Sequence, residues 1–150
     1  MKTLLKNLKT ATFNVLEKMF FMLPDTEDEL GGITLQGDDT ATIYIGITGT
    51  PSYLISMIFE KSMLANMAQD LLGIESVDES DNIVEKCLSE TANIIAGRFL
   101  LMFDETENRD ISLPSIHRED VFGNTNSSES GEKIVSFDGY PVQLKLDVIP

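Results

Sequence analysis

The chain has 150 residues, 42% hydrophobic and 24% charged, the composition of an ordinary globular protein. That length suits one domain, residues 1–150, large enough to bury well over half of its unfolded surface. The formal charge is −14 and uneven: residues 1–22 carry four lysines against Glu17, a balance of +3, which leaves −17 on the rest. Such a surface is repelled by phosphate backbones and anionic lipids, which counts against nucleic acid or a membrane as partner. A single cysteine, Cys87, excludes an internal disulfide, and a single histidine, His117, excludes a multi-histidine metal site. Cys87 falls beside an apolar helix face and reads as a packing residue; His117 reads as a surface or packing residue. The opening Met-Lys-Thr-Leu-Leu-Lys looks superficially like a secretion signal. Lys6 and Lys9 interrupt its apolar run, however, and no small-residue cleavage site follows. No run approaches the ~20 apolar residues of a membrane span. A cytoplasmic protein is expected.

Residues 3–22 read as a first helix, with Leu4, Leu8, Ala11, Val15, Met19 and Met22 along one face. Pro24 ends it, and residues 25–32 form an acidic loop. Residues 33–36 and 41–48 are predicted strands joined by a turn at 37–39. In the second, Ile43, Ile45 and Ile47 alternate with Thr42, Tyr44, Gly46 and Thr48, the period of a sheet with one buried face. Thr50-Pro51 reads as a helix opening, a capping hydroxyl followed by proline in the first turn. The helix is predicted to run to about Leu72, with Leu54, Ile58, Ala65, Ala68 and Leu72 inward and Gly73 as its stop.

An acidic stretch with Ser80 as cap leads into a central helix over residues 81–104. Val84, Leu88, Ala92, Ile95, Phe99 and Met102 recur there at steps of three and four. Residues 105–109 form a polar turn. Residues 111–117, with Pro114, suit an edge or irregular strand. Residues 123–131 are the most loop-like part of the chain, and 124–131 are expected to be a flexible loop. Two alternating strands, 134–137 and 142–149, close the chain through a hairpin at Asp138-Gly139. This order predicts an α/β fold of the α+β type, an antiparallel-rich mixed sheet packed against long helices. No Gly-rich phosphate loop follows any strand, and Gly31-Gly32 is an isolated pair.

The pattern Glu-x-x-Asn occurs three times, as Glu79/Asn82, Glu90/Asn93 and Glu105/Asn108. The first straddles a helix start and the third lies in a polar turn, which leaves only the middle pair inside a long amphipathic helix. At about 100° per residue, Lys86, Ser89, Glu90, Asn93 and Gly97 gather opposite the apolar face within about a quarter turn. A glutamate and an asparagine on a polar face most often serve solvation alone. Here, however, asparagine is a poor mid-helix residue with better uses at caps. Gly97 costs about 1 kcal/mol in a helix interior relative to alanine. The two together mark this arc for recognition or catalysis.

The run Leu-Ser-Glu-Thr-Ala-Asn-Ile-Ile-Ala-Gly, residues 88–97, resembles the signature helix of the CheX/CheC/FliY phosphatases of bacterial chemotaxis. The similarity extends to Phe13-Asn-Val-Leu-Glu-Lys-Met19, the strand at 41–49, Leu71-Leu72-Gly73 and Leu113-Pro114, all in the family's order. The CheX branch fits best, because Glu17-x-x-Phe20 on the first helix lacks the asparagine of a second site. The resemblance implies a CheC/CheX-like fold and hydrolysis of the aspartyl phosphate on a CheY-like response regulator. Asn93 would orient the attacking water, and Glu90 would pair with the regulator's active-site lysine. Lys86, Ser89 and Gly97 would meet the partner. The resemblance further implies no cofactor or metal of the chain's own, magnesium held by the regulator, and a homodimer. One departure stands out: CheC-type motifs commonly carry Asp or Ser where this chain has Lys86. An i, i+4 ion pair of Lys86 with Glu90, worth a few tenths of a kcal/mol, would orient Glu90 or compete with the partner's lysine. The alternative is a non-catalytic, dimeric module that binds a response regulator. A free-standing metabolic enzyme has little support, since no nucleophile–base pair stands out.

Overall fold

The alternating isoleucines of β1 (Thr40–Thr48) place Ile43, Ile45 and Ile47 on one face, where all three are fully buried. This computed structural model describes residues 1–26, 35, 37, 39–78 and 82–150. The expected strand at 33–36 lies, apart from Leu35, outside the described residues, as do the expected cap Ser80, Gly31-Gly32 and Glu79 of the first look-alike motif. β1 pairs with β2 (Ser52–Glu60), β2 with β5 (Tyr140–Ile149), and β5 with β4 (Glu129–Phe137). The short β3 (Asp110–Ile111) completes the order β3-β1-β2-β5-β4, and every pairing is antiparallel. The fold is of the α+β type, as expected, and every strand pairing among the described residues is antiparallel.

The helices α1 (Lys2–Phe20), α2 (Lys61–Leu72) and α3 (Asn82–Leu100) cover one face of this sheet. Leu8, Val15, Leu16 and Phe20 of α1, and Val84, Leu88, Ile95 and Phe99 of α3, share one core with Ile55, Met57 and Phe59 of β2 and with Leu144 and Leu146 of β5. The opposite face is covered at one corner by α4 (Glu119–Phe122), a short helix that the sequence pattern does not announce. Its Phe122 and Val121 press on Gly46, where an added Cβ would come within 2.7 Å of the Phe122 ring. Glycine is needed there for close approach.

One prediction is overturned. Residues 52–60 are not the first half of a helix but the central strand β2, and Gly49 to Pro51 is the turn between β1 and β2. The Ser52 hydroxyl donates to the Gly49 carbonyl (2.9 Å) and accepts from the Gly49 N–H (3.2 Å), closing that turn. Tyr53 to Met57 is buried on both faces of the sheet, so the strand reads as an apolar run, interrupted at Ser56 but without alternation. Such a run cannot be told from a buried helix by period alone. The β-branched Ile55 and Ile58 and the aromatic Tyr53 and Phe59 were the discriminating residues. Only Lys61–Leu72 is helical, and Gly73, at a left-handed φ of 66°, ends it as expected.

Boundaries shift elsewhere. α3 ends at Leu100, so Met102 lies beyond it and is 38% exposed. β4 begins at Glu129, five residues before the predicted strand, and takes in Glu129 to Gly131. Asp138 and Gly139, at φ of 51° and 83°, form the expected hairpin turn, in which both central residues need positive φ. Past α3, the Arg109 guanidinium lies over the rings of Tyr53 and Phe103 at 4.9 and 5.0 Å. It also donates to the Pro51 carbonyl and pairs with Glu107. This clamp ties the β1–β2 turn to the C-terminal end of α3 and so fixes the helix on the sheet.

Candidate functional site

With Val84, Leu88, Ala92, Ile95 and Phe99 of α3 buried, helical geometry turns Lys86, Glu90 and Asn93 toward solvent. All three are exposed, and Ser89 and Gly97 are half-buried beside them. Lys86, Ser89, Glu90 and Asn93 line one open groove of about 960 Å³. One wall is the C-terminal end of α2, with Ala68, Leu71 and Leu72; another is formed by Leu113 and Pro114 beyond β3. Gly97 lies one turn past Asn93, outside the groove lining. A Cβ added there would meet only Ile111 Cδ1, at 3.9 Å, an ordinary contact, so nothing inside the chain requires a glycine.

The polar side chains of the groove are unengaged. Among the described residues, Lys86, Ser89, Glu90 and Asn93 make no side-chain hydrogen bond or ion pair, so the Lys86–Glu90 pair that the spacing allows is not formed. A carboxylate that accepts, a carboxamide that donates and accepts, and an ammonium that donates are thus held on one rigid helix with their bonding capacity open. Among the described residues, no three His, Cys, Asp or Glu side chains converge to hold a metal ion. Cys87 borders the groove but is 3% exposed. Burial pushes its thiol up, outweighing the contact with the Thr91 hydroxyl at 4.0 Å. It is a packing residue, as expected, and His117 lies exposed on the surface.

The sequence pattern missed the walls. Leu72, expected on an inner helix face, is 50% exposed, and Leu71 beside it is 46% exposed. Leu113 is 87% exposed because of how the edge of the sheet is built. Ile47 pairs with Ile111 and Tyr44 bridges to Ser115, so Ile45 and Gly46 of β1 face three residues, Ser112, Leu113 and Pro114. One residue is inserted and the segment bulges. The bulge is pinned at both ends. Ser112 N–H donates to the Gly46 carbonyl and Gly46 N–H to the Ser112 hydroxyl, each at 2.8 Å; Tyr44 and Ser115 exchange two backbone bonds, also at 2.8 Å. Pro114, lacking an N–H, fits where the edge strand has no ladder donor to supply. An apolar pair directly before a helix-stop glycine, and a proline in an edge segment, were the available signals.

The sequence profile described as "Chemotaxis phosphatase CheX" matches residues 41–138, well over half of the chain and including the whole of α3. A search of curated proteins found no significant match. Among solved structures, the chemotaxis protein CheX of Desulfovibrio desulfuricans superposes with a TM-score of 0.71 at 20% identity, covering 97% of this chain and 99% of that one. CheX from the Borrelia burgdorferi complex titled CheX-CheY-BeF3-Mg+2 superposes with a TM-score of 0.65 at 19% identity, covering 97% of each chain. Thermotoga maritima FliY is more distant, with a TM-score of 0.56 at 15% identity over 93% of this chain and 82% of that one. The superpositions establish a common fold. Together with the profile match across the groove-forming helix, they make this chain a member of the CheX family of chemotaxis phosphatases.

Proposed function

We propose that this chain hydrolyses the aspartyl phosphate of a CheY-like response regulator. The observation that carries the reading is the Glu90/Asn93 pair, exposed and unengaged in the α2–α3 groove of a CheX-family chain. An acyl phosphate is already activated, and its hydrolysis needs little beyond a water held in line with phosphorus. The Asn93 carboxamide can accept from that water and donate to it without placing further negative charge beside the phosphoryl group. The water oxygen bonds to phosphorus as the bond to the aspartyl oxygen breaks, returning the regulator's carboxylate and releasing inorganic phosphate. Glu90 pairs with the regulator's active-site lysine and fixes the approach, with Lys86, Ser89 and Gly97 at the contact. Magnesium belongs to the regulator. A relative, the Borrelia CheX, is solved with CheY, BeF3 and magnesium, which supports a receiver domain as partner.

The test is phosphate release from a magnesium-loaded, phosphorylated regulator with and without the protein. Asn93→Ala should abolish most of the acceleration; an unchanged rate refutes its role. Lys86 favours a second reading, a non-catalytic binding module, because its free ammonium stands one turn from Glu90 and can compete for it. Tight binding without faster dephosphorylation, across a panel of regulators, would select that reading. Homodimerisation belongs to the same proposal. β4 is an outer strand, and the segment at Pro24 and Asp25 meets its free side at the C-terminal end, bridging Phe137 and donating from Asp25 N–H to the Ser136 carbonyl. Such an edge suits pairing with a second copy. Sedimentation showing only monomer at micromolar concentration removes it.

A further inference from the structure

We infer that Leu71 and Leu72 at the end of α2, and Leu113 on the edge bulge, are two apolar lips by which the phosphorylated regulator is gripped on either side of Glu90 and Asn93. This rests on the phosphatase reading and adds to it the surface that sets affinity. Three leucines exposed at 46, 50 and 87% border one groove, although the inner face of α2 buries Met63, Leu64 and Met67 completely. Leu113 does not swing free. The serine-anchored bulge holds it out, so presenting it costs little further ordering on association. Exposed leucines clustered along one open groove are the kind of apolar surface that marks an interaction site.

The charges of the groove choose between occupants. Glu85 and Glu90 line it together with Lys86, its one cation among the lining residues. In a two-fold contact between copies, each face meets itself, and these carboxylates would confront their own images on chains of net charge −14. On the phosphatase reading the regulator brings a lysine to Glu90, a complementary rather than a like charge, and a CheX relative is solved together with CheY. The partner is therefore the regulator and not a second copy.

Steady-state kinetics and direct binding test this on a Leu71→Ser/Leu72→Ser double variant and on Leu113→Ser. Leu101→Ser, at a leucine 78% exposed but outside the groove lining, is the control. All sites are surface positions, and thermal melts confirm folding. Loss of an interface anchor predicts KM raised about tenfold by either groove variant, with kcat within about twofold and Leu101→Ser unchanged. Binding is read separately on an Asn93→Ala background with a beryllofluoride- and magnesium-loaded regulator, so docking is measured even if hydrolysis does not depend on Asn93. The same tenfold weakening is expected there. Unchanged KM and binding overturn the proposal while leaving the phosphatase reading intact. Loss of a dimer in the groove variants, with regulator binding preserved, overturns it in favour of self-association. Failure of every regulator tested to bind the parent protein also overturns it.

Discussion

The two long helices, α1 and α3, have the same length of 19 residues and lie on the same face of the same sheet, yet they use their outer faces differently. Inward they are alike: Leu8, Val15, Leu16 and Phe20 on one, and Val84, Leu88, Ile95 and Phe99 on the other, enter a common core. Outward, α1 shows Lys2, Lys6, Thr10, Glu17 and Lys18, and its hydroxyls turn back on their own helix. The Thr10 hydroxyl donates to the Lys6 carbonyl at 2.9 Å, and Thr12, buried, donates to Leu8 at 2.8 Å. On α3 the exposed carboxylate and carboxamide bond to nothing in the chain and look into a groove walled by another helix and a bulge. Lys6, Glu17 and Lys18 on α1 have no side-chain partner among the described residues either, but none of them lines the groove that holds Glu90 and Asn93. That setting in a walled groove, rather than helicity or amphipathicity, separates the outer face proposed as the site from the outer face of α1.

If the inner faces are equivalent, truncation should cost the same on both. Phe20→Ala and Phe99→Ala, at 4% and 0% exposure, should each destabilise by about 3–5 kcal/mol in chemical denaturation. A much smaller value for Phe20 would mean that α1 is a loosely docked cover. The outer faces should then diverge. Asn93→Ala should lower kcat about 100-fold, the scale of removing one positioned polar group, or about 2.7 kcal/mol. Thr10→Ala on α1 should leave kcat untouched, and neither change should move the melting temperature by more than a degree or two. Glu90→Ala should act mainly on association, weakening binding about tenfold with kcat nearly preserved. Equal losses of kcat and affinity from both α3 substitutions would refute the division of labour between them.

Legibility in the sequence followed the same contrast. α3, half buried and regularly periodic, announced its body and the arc holding Glu90 and Asn93, though the predicted helix ran four residues past its end at Leu100. The C-terminal hairpin was equally plain, because Asp138-Gly139 has the chemistry of a turn with positive φ. β2 was not legible. A central strand covered on both sides loses the alternation that betrays a strand, and Thr50-Pro51 fits a turn as well as a helix start. α4 is four residues long, too short for any period to show, and it owes its place to Gly46 on a strand far away in sequence. The groove walls were hidden for a related reason. Leu71, Leu72 and Leu113 look like core residues in a sequence, and only the packing shows that they are left outside.

The smallest effect expected is also the most discriminating, because its two parts have opposite signs. Gly97 is the residue of the α3 arc that most disfavours its own helix, by about 1 kcal/mol relative to alanine. Its missing side chain relieves no crowding, since a Cβ would reach only Ile111 Cδ1 at 3.9 Å. Gly97→Ala should therefore stabilise the protein by about 1 kcal/mol, a rise of roughly 2–4 °C in Tm for a chain of this size. If the glycine provides clearance for the regulator one turn from Asn93, the same change should raise KM severalfold while leaving the rate constant of the bound complex intact. A stabilised variant with unchanged KM would show that the regulator stops short of this turn, and would confine the contact to the groove between Lys86 and Asn93. A variant that is not stabilised would show that the helix is already distorted at Gly97, so that the residue serves the backbone of α3 and not its outer face.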